Sequence, residues 1–102
     1  MEYHERRRHR RFPLQQSAIL SYIDGEQHEL AARTHNVSLS GAFLCASRAI
    51  PDHVTVQVLL MMEREGLGKI SLRGAGKVVR TEIGPDRQVG LAIAFEERIT
   101  EA

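Results

Sequence analysis

The chain has 102 residues, 42% of them apolar and 26% charged, with a formal net charge of +1 and a single cysteine, Cys45. That length favours one domain with a modest core, and the composition is ordinary for a soluble globular protein. No apolar run approaches the roughly 18 residues of a membrane-spanning helix, the charged N-terminus has no apolar stretch of a secretory signal, and one cysteine excludes an internal disulfide, so the expected setting is cytoplasmic.

The elements are read in chain order. Residues 1–13 carry five arginines against Glu2 and Glu5, a local charge of +3, which leaves −2 on the rest of the chain. They lack apolar periodicity, so the reading is a basic arm over residues 1–13, mobile without a partner, followed by a β-domain over 14–102. Ser17 to Asp24 is a first strand. Asp24-Gly25 signals a type I′ hairpin, which needs positive φ at both central residues, and Gln27 to Thr34 returns antiparallel. A turn over Asn36–Gly41 leads to Ala42–Ala46. Val54, Val56, Val58 and Leu60 then alternate with Thr55, Gln57 and Leu59, the period-two signature of a half-buried strand. A polar loop at 63–68 precedes a long strand from Lys69 to Arg80. Gly74 and Gly76 inside it predict a bulge, a bend or close backbone packing. After the Gly84-Pro85-Asp86 turn comes Gln88 to Phe95, and residues 96–102 have room for one helical turn. Six strands, mostly hairpin-linked at a spacing of about 8–12 residues, predict an all-β fold: a small six-stranded antiparallel barrel, whose closure removes exposed edges. A sandwich is the alternative.

Two short segments carry candidate chemistry. The first is Arg6-Arg7-Arg8-His9-Arg10-Arg11-Phe12-Pro13. A guanidinium is a planar fork that fits phosphate oxygens or the O6/N7 edge of guanine, and its face stacks on a base. Arg7 and Arg11, four apart, share one side of a turn-like or helical segment; Arg6 and Arg10 have the same spacing. Read alone, the run is equally a solvated basic tail. The second is Asn36-Val37-Ser38-Leu39-Ser40-Gly41. Asn36 offers both donor and acceptor to a purine edge, and Gly41 allows positive φ or a close backbone approach. Read alone, this is an Asx or Ser turn between strands.

Together, in this order and on this strand pattern, the two resemble the signature of the PilZ domain family: an Arg-x-x-x-Arg near the N-terminus, often preceded by a further Arg, then Asp/Asn-x-Ser-x-x-Gly after two strands. Arg6-Arg7-x-x-x-Arg11 leads into Phe12-Pro13 as the family's arginines lead into its barrel, which favours the Arg7/Arg11 register. Asn36-x-Ser38-x-x-Gly41 fills the second motif, and Gly76–Arg80 and Val89–Phe95 look like the family's last strands. The resemblance spans nearly the whole chain. It implies a six-stranded barrel that binds the bacterial second messenger cyclic di-GMP without catalysis. Arg7 and Arg11 would contact phosphate and guanine, Arg6 would assist, and Asn36, Ser38 and Gly41 would line the pocket. Arg8, His9 and Arg10 are additional candidates. Arm ordering over the ligand would pass the signal to a downstream protein partner. The chain would be a monomer when free, with a ligand-linked dimer as the alternative.

Other chemistries find little support. His4, His9, His28, His35 and His53 show neither zinc-like pairing nor a cysteine companion. No serine sits in a nucleophile-elbow context, and Gly66-x-Gly68-Lys69 is too short for a phosphate-binding loop. No metal or cofactor is expected. Cys45 lies in the apolar run Ala42–Ala46 and reads as a buried small hydrophobe. The competing functions are a ligand-independent protein-docking module of the same fold and a barrel for single-stranded nucleic acid. The latter would need aromatic platforms interleaved with basic residues, whereas the aromatic residues here are few.

Overall fold

In the computed structural model, residues 12–13, 15–64, 66 and 68–102 are described, and every regular element among them is a strand. β1 is Phe12–Pro13, β2 Ser17–Asp24, β3 Glu26–Val37, β4 Gly41–Ala46, β5 Val56–Arg64, β6 Gly68–Ile83, β7 Val89–Phe95 and β8 Thr100–Glu101. The six long strands pair antiparallel in the order β3-β2-β5-β6-β7-β4, and β4 pairs back onto β3. The sheet therefore closes on itself as a six-stranded barrel, and closure leaves the long strands few free edges.

The inward face follows the period-two pattern. Leu20 of β2, Leu44 of β4, Val56, Val58 and Leu60 of β5, and Leu91 and Ile93 of β7 are fully enclosed. Each such side chain contributes about 1.5–3 kcal/mol of transfer free energy. Among the described residues Thr34 is the one polar residue buried as deeply, with 1% of its surface exposed. Its Oγ1 accepts the Gln16 N–H at 2.8 Å, and its own N–H donates to the Gln16 carbonyl at 2.9 Å. Those bonds hold the chain against β3 between β1 and β2, which lie along the same side of it (Pro13 opposite Asn36, Ser17 opposite Arg33).

Three local expectations change, and a fourth, for Gly74 and Gly76, narrows to one of its alternatives. The β2–β3 hairpin forms, but Asp24 pairs with Glu26 and only Gly25 has positive φ, at 79°, so the turn is not type I′. Residues 96–102 form no helical turn. Because β6 outruns β7, its edge at Leu72–Arg73 would stand open, and β8 fills it while Ile99 enters the core. Gly74 and Gly76 serve close packing: a Cβ on Gly74 would sit 3.0 Å from the Phe95 ring, and one on Gly76 would meet the Ala94 carbonyl. The bulge in β6 lies further along, between Val78 and Arg80. Cys45 is half-buried rather than enclosed, because β4 turns Ala42, Leu44 and Ala46 inward and Phe43 and Cys45 outward.

Candidate functional site

The Asn36–Gly41 segment is only partly a turn. Asn36 and Val37 finish β3, residues 38–40 turn, and Gly41 begins β4. The turn is closed by the Ser38 N–H donating to the Gly41 carbonyl at 2.8 Å. Ser38 is 5% exposed, and its hydroxyl works inside the turn. Oγ accepts the Ser40 N–H at 3.2 Å and donates to the Gly41 carbonyl at 3.3 Å. Gly41 has no positive φ; its requirement is space, since a Cβ there would stand 2.6 Å from the Ile93 carbonyl oxygen. From outside, the Phe95 N–H bonds the Ser40 carbonyl at 2.8 Å and the Ile99 N–H bonds the Leu39 carbonyl at 3.2 Å. Ser38 and Gly41 thus shape the turn, and Asn36 is the motif side chain on the outer wall.

Two bulges assemble that wall. In β3 the register shifts between Thr34 and Asn36, so Thr34 and Val37 stay inside while His35 and Asn36 both belong to the outer face. In β6 the shift at Val79 sets Arg80 opposite Ala92. The resulting register is one continuous row across five strands: Pro13 opposite Asn36, Asn36 opposite Phe43, Phe43 opposite Ala92, and Ala92 opposite Arg80. At about 4.8 Å per strand gap, Asn36 and Arg80 stand roughly 14 Å apart along the backbone.

Side chains fold over this row. Phe43 lies on Gly90, where a Cβ would come within 2.6 Å of its ring. The Arg80 guanidinium carbon sits 5.7 Å from the centroid of that ring, within the range of a cation–π contact. Arg80 Nε also donates to Glu82 at 3.0 Å. The His35 ring tilts against that of Phe43, with centroids 5.7 Å apart, and bonds the Cys45 sulfur at 2.9 Å. The expectation that no histidine has a cysteine companion is therefore corrected, since the bulge brings the two together. Among the described residues no group of three or more His, Cys, Asp or Glu side chains is placed to hold a metal ion. Two open hollows flank Cys45: one of ≈ 470 Å³ reaching Arg33 and His35, and one of ≈ 230 Å³ reaching Phe43, Glu82 and Gly90.

The sequence-predicted residues thus divide. Asn36, Ser38 and Gly41 come together at one end of the outer wall. Arg6, Arg7, Arg8, His9, Arg10 and Arg11 lie outside the described residues. The chain reaches the described part at Phe12, which pairs with Val37 beside Asn36. Nothing in the sequence pattern marks Phe43 and Arg80 as site residues. β4 is apolar at five consecutive positions, so periodicity cannot assign its faces, and the β6 bulge that aims Arg80 is invisible in one sequence. Among the described residues no helix is long and apolar enough to cross a membrane.

The sequence model of the PilZ domain family matches residues 5–102. The chain is also similar in structure to the Bacillus subtilis inhibitor of motility (MotI/DgrA), with a TM-score of 0.73 and 13% sequence identity over 96% of this chain and 46% of that one. It therefore spans about half the length of that neighbour, and the likeness at this identity is one of fold. No curated protein matches the chain.

Proposed function

We propose, from the premise that this chain belongs to the PilZ domain family, that it is a non-enzymatic bacterial receptor for cyclic di-GMP. The family is one of cyclic di-GMP receptors in general. The observation that carries the reading for this chain is the pairing of Phe12–Pro13 with Val37–Asn36. It ties the end of the arginine run to the strand that presents Asn36. Arg11 is one peptide unit from Phe12, and Arg7 is five residues from it, a contour of at most about 17 Å.

The ligand combines two phosphates with two guanines, so it calls for cations and purine-edge partners at one place. Arg7 and Arg11 supply guanidinium forks to phosphate or guanine, with Arg6 assisting; Arg8, His9 and Arg10 are further contacts within reach. A bidentate arginine contact discriminates by about 1–3 kcal/mol. Asn36 meets the base edge with its amide. It keeps the acceptor that an aspartate would offer to guanine N1–H and N2–H but lacks the charge, which lowers the strength of that bond. Ser38 and Gly41 hold the turn in the shape that lets the ligand approach. Binding orders residues 1–11 over the outer wall, leading on from the already paired Phe12–Pro13, and the reshaped face engages a downstream protein.

Calorimetry with cyclic di-GMP tests the reading. Arg7→Ala and Arg11→Ala are each expected to weaken binding at least tenfold while the thermal unfolding curve stays in place. Wild-type affinity in both variants overturns the assignment.

A further inference from the structure

The outer wall holds two side chains that the two motifs leave unused, Phe43 and Arg80. Phe43 is the direct cross-strand neighbour of Asn36, so their Cβ atoms stand within about 4.5–5.5 Å. Its ring has a prepared seat: the two β7 residues beneath and beside it are Gly90 and Ala92, and a side chain on Gly90 would displace the ring. Arg80 reaches back along the row from the far strand to place its guanidinium 5.7 Å from the ring centroid. Glu82 takes the Nε–H at 3.0 Å, which fixes the fork from one edge. The side chain of Arg80 is nevertheless 62% exposed, so it is open to a partner from solvent. An exposed ion pair of this kind adds little to stability, so fold maintenance alone does not account for the arrangement.

We propose that Phe43 and Arg80 form a stacking platform for the same purine whose edge Asn36 meets. This rests on the cyclic di-GMP reading above. The ring stabilises one face of the guanidinium, and a planar guanidinium stacks a base on the other. Stacking tolerates any base, while an amide at the edge discriminates among them. Edge and face are thus supplied from opposite ends of one cross-strand row. The platform is a specificity device of this chain's own β4 and β6 residues, and it lies beyond the arginine arm and the Asn36 turn.

Affinity for cyclic di-GMP, measured on the full chain by calorimetry, is the readout. Arg80→Ala is expected to weaken binding about tenfold. Arg80→Lys keeps the charge but not the plane and is expected to stay at least fivefold weaker than wild type. Phe43→Leu, which keeps apolar volume on Gly90, is expected to weaken binding severalfold. Because one base is held at edge and face, Asn36→Ala and Arg80→Ala are expected to be coupled: if each costs tenfold, the pair costs well under a hundredfold. Losses that multiply in full overturn the shared base. Arg80→Ala within twofold of wild type, beside an Arg7→Ala that has lost binding, overturns the platform and leaves the receptor reading standing. A wild-type chain that binds no cyclic di-GMP overturns both.

Discussion

Replacing Gly41 by alanine separates the shape of the motif turn from its contacts. Gly41 has no positive φ, so alanine meets no backbone strain, and the whole penalty is steric. The added methyl would stand 2.6 Å from the Ile93 carbonyl oxygen, with the Ala94 Cα at 3.7 Å. That first distance is about 1 Å short of ordinary van der Waals separation. The opposing atom is backbone in the β4–β7 ladder, where Gly41 faces Ala94 and Ala42 faces Ile93, so no flexible side chain can yield. Parting the strands strains the Ser38 N–H to Gly41 carbonyl bond and the Phe95 N–H to Ser40 carbonyl bond, both 2.8 Å. Overpacking costs about 1–3 kcal/mol, and weakening these two bonds adds about 1 kcal/mol more. The expected loss is therefore about 2–4 kcal/mol, a fall in Tm of roughly 8–30 °C for a domain this size. Urea unfolding followed by circular dichroism reads it directly. Gly25→Ala is the internal control: its φ of 79° is unfavourable for alanine, but a Cβ there meets nothing within 4 Å. It should cost only about 1–2 kcal/mol. A Gly41→Ala protein within about 0.5 kcal/mol of wild type, a margin typical of harmless surface changes, would refute the steric argument.

Two further changes probe how the site is held. Thr34→Val keeps the shape but removes the acceptor for the half-buried Gln16 N–H; a loss of about 1 kcal/mol is expected in urea unfolding, with faster amide exchange at Gln16. Ile99→Ala removes a core side chain whose own N–H reaches Leu39 in the motif turn. It should cost about 2–5 kcal/mol, and NMR should show the largest shift changes at residues 38–41 and in β8.

How much was legible in the sequence depended on whether neighbours differed in polarity. β2 was predicted with the bounds it has, and in β5 Val56, Val58 and Leu60 face inward as their alternation with Thr55 and Gln57 implies. β4 was located but its faces were not. Ala42-Phe43-Leu44-Cys45-Ala46 is apolar throughout, so only closure of the barrel decides that Leu44 is enclosed while Phe43 and Cys45 look outward. Register was equally silent. The bulges at His35 and Val79 shift every later residue by one place, and they alone bring His35 to Cys45 and Arg80 to Phe43. β8 escaped because two residues hold no periodicity; it exists because β6 leaves an edge to fill. Of the motif turn, Asn36, Ser38 and Gly41 were identified from the sequence. That Ser38 spends its hydroxyl on the turn and that Gly41 yields space to a carbonyl are tertiary facts.

The central claim is that the arginine arm and the Asn36 turn form one site for cyclic di-GMP. An NMR titration of the isotope-labelled chain with that nucleotide tests it most directly. The account predicts saturable shifts at Phe12, at Asn36–Gly41 and at Phe43, with rising heteronuclear NOE values for residues 1–11. It also predicts that the distant β2–β3 hairpin tip at Asp24–Glu26 stays unmoved. No shifts at saturating nucleotide, or shifts that leave Asn36–Gly41 untouched, would contradict it.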